Sequence, residues 1–154
     1  MSAREDLSGM FDYDQWANVK WMATAHEIGQ EAILLHILNA QIIWLSRLEG
    51  TTIWQPTLED FPLHVERSAR QWKRFLLGAD LQRLISYTTM QGVPYDNTVG
   101  EITRHVINHG SYHRGQLRGI AGERGIEFPE TDYIAYLREN AGLNNMRQAA
   151  VVEV

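Results

Sequence analysis

The sequence contains no cysteine, and this absence removes three kinds of chemistry at once. Disulfide bonds, thiolate metal sites and a cysteine nucleophile are all excluded. A metal site in this chain must therefore use nitrogen or oxygen ligands, for which the chain offers 6 histidines and 19 acidic residues. At 154 residues the chain is long enough to bury a substantial core as one domain, so it needs neither cross-links nor metal to fold.

The chain also lacks a long apolar run, an apolar leader and an excess of positive charge. Its apolar stretches are short and interrupted, and the segment MSAREDLSGMFDYDQW starts acidic, so we expect neither a membrane span nor a signal peptide. The formal net charge is −5, whereas nucleic-acid binding depends on a basic surface that contacts phosphates. These features predict a cytoplasmic protein whose partners include neither nucleic acid nor membranes.

The spacing of apolar residues predicts an all-α protein built on four helices. The clearest start signal is Thr98 followed by Glu101, a capping box in which each side chain satisfies a free backbone N–H. A short irregular or hairpin segment is expected at 84–95, where alternating residues are broken by Gly92 and Pro94. The long helices are predicted at 7–27, 31–48, 63–77 and 98–124, with a short C-terminal helix at 132–140. Short links between them favour a four-helix bundle.

Three of the histidines recur at steps of four along the last long helix: His105, His109 and His113. The outer two are about 12 Å apart along the helix axis, too far for one ion to take all three, whereas neighbouring members lie one above the other. A third ligand would have to come from another helix. His36 is the best candidate, because it lies on an apolar stripe that includes Ile33 and is therefore expected to point to the core.

Each of these observations also has an ordinary structural interpretation. A lone histidine on an apolar stripe is more often a packed core residue than a ligand, and two helical histidines four residues apart also arise by chance. His26, near a helix C-terminus, and His64, at a helix start, suit structural roles. The residues alone therefore leave both a metal site and a metal-free bundle open.

Four segments carry a resemblance to a known family. They are the NHxxxHRGQ pattern at Asn108–Gln116, FDYDQWAN at Phe11–Asn18, LLHILNAQIIWLSRL at Leu34–Leu48 and FPETDYIAYLRE at 128–139. Together they span nearly the whole chain, and the first is the most specific. In these segments the sequence resembles the DinB/YfiT-like family, whose name records induction by DNA damage rather than DNA binding.

The resemblance implies a bundle with up-down-down-up connectivity, which would occupy 1–141 and leave 142–154 as a C-terminal tail. It also implies one divalent metal ion, held by a histidine of the second helix and two of the fourth. By position these ligands are His36, His109 and His113, and His105 is extra to the set. Zinc and nickel both suit imidazole ligands, so the choice between them stays open.

Three neutral imidazoles leave positions for water or substrate, as in catalytic metal sites. Relatives with known activity are described as metal-dependent thiol transferases or isomerases that act with low-molecular-weight thiols such as bacillithiol or mycothiol. The resemblance therefore implies a metal-dependent thiol S-transferase acting on a small molecule. The alternatives are a hydrolase-like enzyme, a non-catalytic metal-binding stress-response protein and a metal-free bundle. The spacing of the residues assigns no general base.

Further residues are candidate neighbours of the site, each with an ordinary structural alternative. Gln116 could bond a second ring nitrogen of a ligand, and Arg114 could meet an anionic substrate or simply be solvated. The full set of these candidates is Asp12, Asp14, Asn18, Trp44, Tyr112, Arg114, Gln116 and Arg118. Four glycines inside the last long helix, each unfavourable by about 1 kcal/mol relative to alanine, indicate close approach of another helix or of a second subunit. These glycines are Gly110, Gly115, Gly119 and Gly122, and they predict a homodimer.

Overall fold

The computed structural model describes residues 1–141, which form a helical protein with one small sheet. The elements in chain order are α1 (Ala3–Lys20), α2 (Met22–Glu27), α3 (Glu31–Glu49), α4 (Phe61–Gly78), β1 (Leu84–Thr88), β2 (Pro94–Thr98), α5 (Val99–Glu123) and α6 (133–141). The predicted all-α class is confirmed, and the predicted tail at 142–154 lies outside the described residues. No helix in the described part has the length and apolar character needed to cross a bilayer.

The four long helices enclose a common interior. Helix α1 contacts α4 and α5, and α3 contacts the same two helices. The interior contains two apolar clusters, one in which Phe11 stacks on Trp72 with ring centroids 5.0 Å apart, and one that contains Trp21, Phe61 and Leu117. The interior also contains a set of buried polar residues whose side chains hydrogen-bond one another. These residues, which we call the polar layer, are Asp14, Asn18, Gln41, Ser68 and Arg114.

The starts of two long helices are fixed by capping boxes. The predicted pair of Thr98 and Glu101 is confirmed, since each side chain bonds the other's backbone N–H at the start of α5. The same device, made by Ser2 and Glu5, starts α1 four residues before the predicted position. That signature is visible in the sequence but precedes the first apolar residue of the periodic pattern, Leu7, so apolar spacing alone missed it.

The predicted first helix, 7–27, is interrupted in the structure. Helix α1 ends at Lys20 and α2 begins at Met22, with Trp21 as the shared cap between them. Trp21 is buried, and its indole N–H donates to the hydroxyl of Thr131 at 2.7 Å. A contact with a residue so distant in sequence leaves no mark in local apolar periodicity, so the interruption could not be read from the helix itself.

The segment after α4 forms the expected hairpin. Strands β1 and β2 pair antiparallel, with Tyr87 opposite Tyr95 and Leu84 opposite Thr98. The second strand extends past the predicted limit at 95 and ends at the capping residue of α5. The hairpin therefore leads directly into the helix that carries three histidines, and it places Tyr87 and Asn97 beside the first turn of that helix.

Candidate metal centre

Helices α3 and α5 bring three histidines together on one side of the bundle. Each of His36, His109 and His113 offers a ligand atom that lies within 4.8 Å of the other two. The ring centroids are 4.9 Å apart for His36 and His109, 4.6 Å for His36 and His113, and 4.5 Å for the two histidines of α5. We call this group the histidine cluster. It contains the three residues predicted as ligands, and it could hold a metal ion.

The environment of His36 differs from the expectation. The sequence predicted a core-facing residue, but His36 is exposed at the surface beside α5. The buried face of α3 is rotated away from the predicted stripe and consists of Leu34, Ile37, Leu38, Gln41, Ile42, Leu45 and Leu48. The prediction was wrong because α3 is apolar on several sides and because a polar residue, Gln41, occupies its interior face. The exposed position nevertheless suits a ligand that must be reached from solvent.

His113 has a protein partner for one of its ring nitrogens. Its Nδ1 lies 2.9 Å from the side-chain oxygen of Gln116, one turn further along α5. Because that oxygen can only accept, the contact fixes the proton on Nδ1 and leaves the Nε2 lone pair available. A partner of this kind orients a ligand ring and fixes its tautomer, which is the role predicted for Gln116.

His109 is partly buried and lies between His105 and His113 along α5. Its Nδ1 is shielded from solvent and has no hydrogen-bond partner among residues 1–141. The pKa of His109 is lowered to about 4, chiefly by burial and further by repulsion from His113, His36 and His105. The pKa of His36 is lowered as well, first by the partial burial of its ring and then by His113. Both rings are therefore neutral near pH 7, the form in which imidazole binds a metal.

The donor set and its spacing fit a divalent ion. Two nitrogens bound to one tetrahedral ion at about 2.1 Å lie roughly 3.4 Å apart, so small side-chain rotations are enough to bring the cluster to bonding distance. The Nδ1 of His109 is a shielded polar atom without a protein partner, and a bound cation can interact with such an atom. His105 is not a member of the cluster; its ring lies 5.7 Å from that of His109 and contacts Trp44 instead.

The polar layer explains several residues that the sequence placed near the metal. Arg114 is 3% exposed and donates to Asp14 at 2.8 Å and to Asn18 at 2.7 Å, so it is neither solvated nor available to an anionic substrate. The amide of Gln41 donates to Asp14 and accepts from Ser68. The predicted role of Asp14 and Asn18 beside the metal is thus replaced by an ion-pair network in the core. Two other candidates also have partners away from the cluster. Asp12 forms an ion pair with Lys73, and the Arg118 guanidinium lies over the ring of Phe128.

One of the four glycines of α5 is explained by this network. A Cβ atom at Gly110 would lie 2.6 Å from a carboxylate oxygen of Asp14, so the close approach of α1 requires glycine there. Gly122 would make only an ordinary contact with Phe128, and nothing lies within 4 Å of the Cβ positions of Gly115 and Gly119. The predicted close approach of another helix is therefore found at Gly110. Within the described part of the chain it is not found at Gly115 or Gly119.

Taken together, the fold and the site define a helical-bundle protein with a surface-accessible three-histidine group able to hold a divalent metal. The sequence profile of the DinB family matches residues 10–146, and the chain belongs to that family. It is similar to "Protein DinB" of Bacillus subtilis (strain 168), with 22% identity over 157 aligned positions that cover 83% of this chain and 91% of the relative. No solved structure matches the chain at a significant level.

Proposed function

We propose that the chain is a metal-dependent enzyme of the thiol S-transferase type that acts on a small molecule. In this proposal His36, His109 and His113 hold one zinc or nickel ion, and a low-molecular-weight thiol is one of the substrates. The observation that carries the proposal is the convergence of three imidazoles, one with an orphaned nitrogen, at a surface-accessible position. When bound, the ion supplies a Lewis acid that favours the deprotonated form of a thiol.

The chain's own residues account for the orientation of the proposed ligands. Gln116 holds the Nδ1 side of His113, so that Nε2 faces away from this contact. Burial keeps His109 neutral, which removes the cost of displacing a proton when a cation binds near pH 7. His36 is the exposed member, so the cluster can be approached by a small molecule from its side. Three protein ligands rather than four are typical of sites that act on substrate.

The first experiment measures metal content by elemental analysis in protein prepared without a metal-binding tag. Wild type is compared with His113→Ala and with His26→Ala, a matched control in which the lost histidine is exposed and pairs with Glu31. We expect about one ion per chain in the wild type and in the control, and a clear loss in His113→Ala. Absence of metal from all three proteins, even after incubation with zinc and nickel, would reject the metal site and favour a bundle in which the histidines only pack.

The second experiment separates an enzyme from a protein that only holds the ion. Thiol consumption is followed with a panel of small electrophiles, using metal-loaded, metal-stripped and reloaded protein. The enzyme predicts turnover that disappears on stripping and returns on reloading. The alternative, a non-catalytic metal-binding stress-response protein, predicts tight metal binding and no turnover with any thiol in the panel.

We also propose that the chain forms a homodimer. The support is the open space around Gly115 and Gly119, two helical glycines for which the described residues supply no neighbour. A second copy packed on this face would explain why residues unfavourable inside a helix occupy it. Light scattering at micromolar concentration tests the proposal, and a monomeric mass would rule it out.

A further inference from the structure

A cavity lies on the same two helices as the histidine cluster. It has a volume of about 210 Å³ and is lined by Trp44, Tyr87, Asn97, Glu101, Ile102 and His105. We call it the aromatic pocket. Its volume corresponds to about seven water molecules at roughly 30 Å³ each, which is room for one flat ring with a short substituent.

The aromatic pocket and the histidine cluster lie at successive positions along the same helix pair. Helices α3 and α5 run antiparallel here, because His36 meets His113 while Trp44, further along α3, meets His105, further back on α5. Trp44 lies eight residues after His36, which is about 12 Å along the helix axis. His105 connects the two places, since its ring lies 5.6 Å from that of Trp44 and 5.7 Å from that of His109.

The walls of the aromatic pocket are held in position by hydrogen bonds. The rings of Trp44 and Tyr87 meet edge to face with centroids 5.0 Å apart. The Tyr87 hydroxyl donates to the side-chain oxygen of Asn97 at 2.7 Å, and the Asn97 amide donates to Glu101 at 3.0 Å. Because Glu101 also caps α5, this chain of contacts ties the hairpin wall to the helix start. A preformed aromatic wall of this kind favours a flat apolar group.

The tryptophans differ in how their indole N–H groups are used. Within residues 1–141, the N–H of Trp44 has no hydrogen-bond partner, whereas the other four tryptophans each donate to one. Those pairs are Trp16 to Glu139, Trp21 to Thr131, Trp54 to Gln71 and Trp72 to Gln41. An indole N–H can only donate, and because that of Trp44 is not shielded from solvent, it is available to an acceptor on a ligand.

Two further groups around the aromatic pocket favour an acceptor-rich, anionic ligand. The Arg47 guanidinium lies 4.5 Å from the ring centroid of Trp44 and 5.5 Å from that of Tyr87, and it forms no ion pair among the described residues. His105, an exposed residue of the lining, likewise has ring nitrogens without a hydrogen-bond partner in that part of the chain, so they are available to a ligand. Glu101 is the acidic residue in the lining, and one of its oxygens is already taken by Asn97 and the Thr98 backbone.

We propose that the aromatic pocket binds the flat, carboxylate-bearing end of a small substrate whose reactive end reaches the histidine cluster. The aromatic walls hold the planar body, and Trp44, His105 and Arg47 supply the donors for the carboxylate. The second half of this statement rests on the proposed metal-dependent function. The first half concerns binding alone and is testable in metal-free protein.

The test uses trans-cinnamate as probe, with the full chain in metal-stripped and zinc-loaded forms, and measures the Kd by NMR titration. Trp44→Leu removes the wall and the N–H, while Trp44→Phe keeps an aromatic wall and removes only the N–H. The matched control is Trp54→Leu, because Trp54 has a similar setting away from the pocket, with Arg67 at 4.1 Å from its ring centroid and His64 edge-on at 5.2 Å. We expect Trp44→Leu to weaken binding about tenfold or more, Trp44→Phe to weaken it less, and the control to match the wild type.

A second comparison tests the preference for an anion. The wild type should bind trans-cinnamate more tightly than the neutral trans-cinnamamide, and Arg47→Gln should remove most of that difference. Arg67→Gln, the equivalent change beside Trp54, should leave the difference unchanged. Equal affinity for acid and amide in the wild type would overturn the assignment of a carboxylate.

The outcomes distinguish this inference from the proposed function. Trp44-dependent binding of the probe in a protein that takes up no zinc would support the aromatic pocket and reject the metal-dependent enzyme. Zinc uptake through the histidines without probe binding, or an equal loss in Trp44→Leu and Trp54→Leu, would reject the pocket and leave the enzyme standing. In cobalt-loaded protein, paramagnetic broadening of the probe's resonances should show that it lies near the ion, and its absence would reject the link between the two places.

Discussion

The polar layer and the histidine cluster use neighbouring residues of one helix in opposite ways. Arg114 enters the core, where Asp14 and Asn18 satisfy its guanidinium. His113, the residue before it, belongs to the histidine cluster with His36 and His109. The charged groups of the polar layer have protein partners, whereas the Nδ1 of His109 has none among residues 1–141.

This difference separates a structural polar group from a candidate binding group. A buried charge that is paired and hydrogen-bonded within the chain fixes how the helices pack, and removing its partner leaves an uncompensated charge. Polar groups that converge without satisfying one another are stabilised only when something from outside the chain binds to them. Substitutions in the polar layer are therefore expected to change stability, and substitutions in the histidine cluster are expected to change the response to metal and to pH.

The largest effect is expected in the polar layer. Arg114→Met leaves the Asp14 carboxylate buried without its cation, and we expect the free energy of unfolding to fall by about 3–5 kcal/mol. Chemical denaturation of the metal-free protein measures the loss. Arg118→Met is the control, since Arg118 lies at the surface one turn later, and it should cost no more than about 1 kcal/mol. Similar losses in both variants would show that the buried ion pair contributes no more to the free energy of unfolding than a surface residue does.

Stabilisation by zinc should depend on the histidine cluster. If the histidine cluster binds the ion, zinc at 100 times its Kd stabilises the wild type by about 2.7 kcal/mol. His109→Gln should abolish this increment while changing the stability of the metal-free protein little. The measurement is denaturation with and without zinc for both proteins. A zinc increment that survives in His109→Gln would place the binding site elsewhere.

The metal-free protein should lose stability as the pH falls from about 6.5 toward 4. The pKa of His109 is about 4 in the folded chain, below the value of about 6.5 for an unfolded histidine. The unfolded state therefore binds more protons in this window, and the free energy of unfolding falls with falling pH. The effect should be smaller than that of zinc, because the half-exposed ring is screened by solvent. His109→Gln should show a flatter profile between pH 7 and 5, and identical slopes would contradict the assignment.

The smallest predicted effect concerns the partner of His113. Gln116→Leu removes the acceptor at Nδ1 and should weaken zinc binding by about tenfold, since such contacts orient a metal ligand. Isothermal titration measures the affinity. Gln116→Glu retains an acceptor at this position, so it should retain most of the affinity. If the leucine variant binds as tightly as the wild type, the contact has no role in orienting the ring.

Features set by residues a few positions apart were predictable from the sequence. The capping box at Thr98 and Glu101 is an example, because both halves of the interaction are visible in four consecutive residues. The apolar stripe of α3 singled out His36 for a wrong reason, a position facing the core, whereas the family resemblance implied all three members of the histidine cluster. Helical spacing alone could supply only the pair on α5, since nothing in α5 says which helix faces it.

Features set by distant partners were not predictable in the same way. The interior position of Gln41 depends on Asp14 and Ser68, which lie on two other helices, so its polarity misdirected the assignment of the buried face of α3. The pairing of Arg114 with Asp14 likewise joins residues 100 positions apart. In both cases a polar residue is stabilised inside the bundle by partners that the local pattern does not contain.

The hairpin between α4 and α5 has a consequence for how such a protein can diversify. Tyr87 and Asn97 lie on β1 and β2, which pair with each other, whereas the histidines lie on the long helices that enclose the core. Replacing or lengthening the hairpin can therefore remodel one wall of the aromatic pocket while the helices that carry the histidines keep their packing. A lineage built on this plan can change the shape of this pocket by exchanging a short surface segment, while the helices that position the histidine cluster are inherited unchanged.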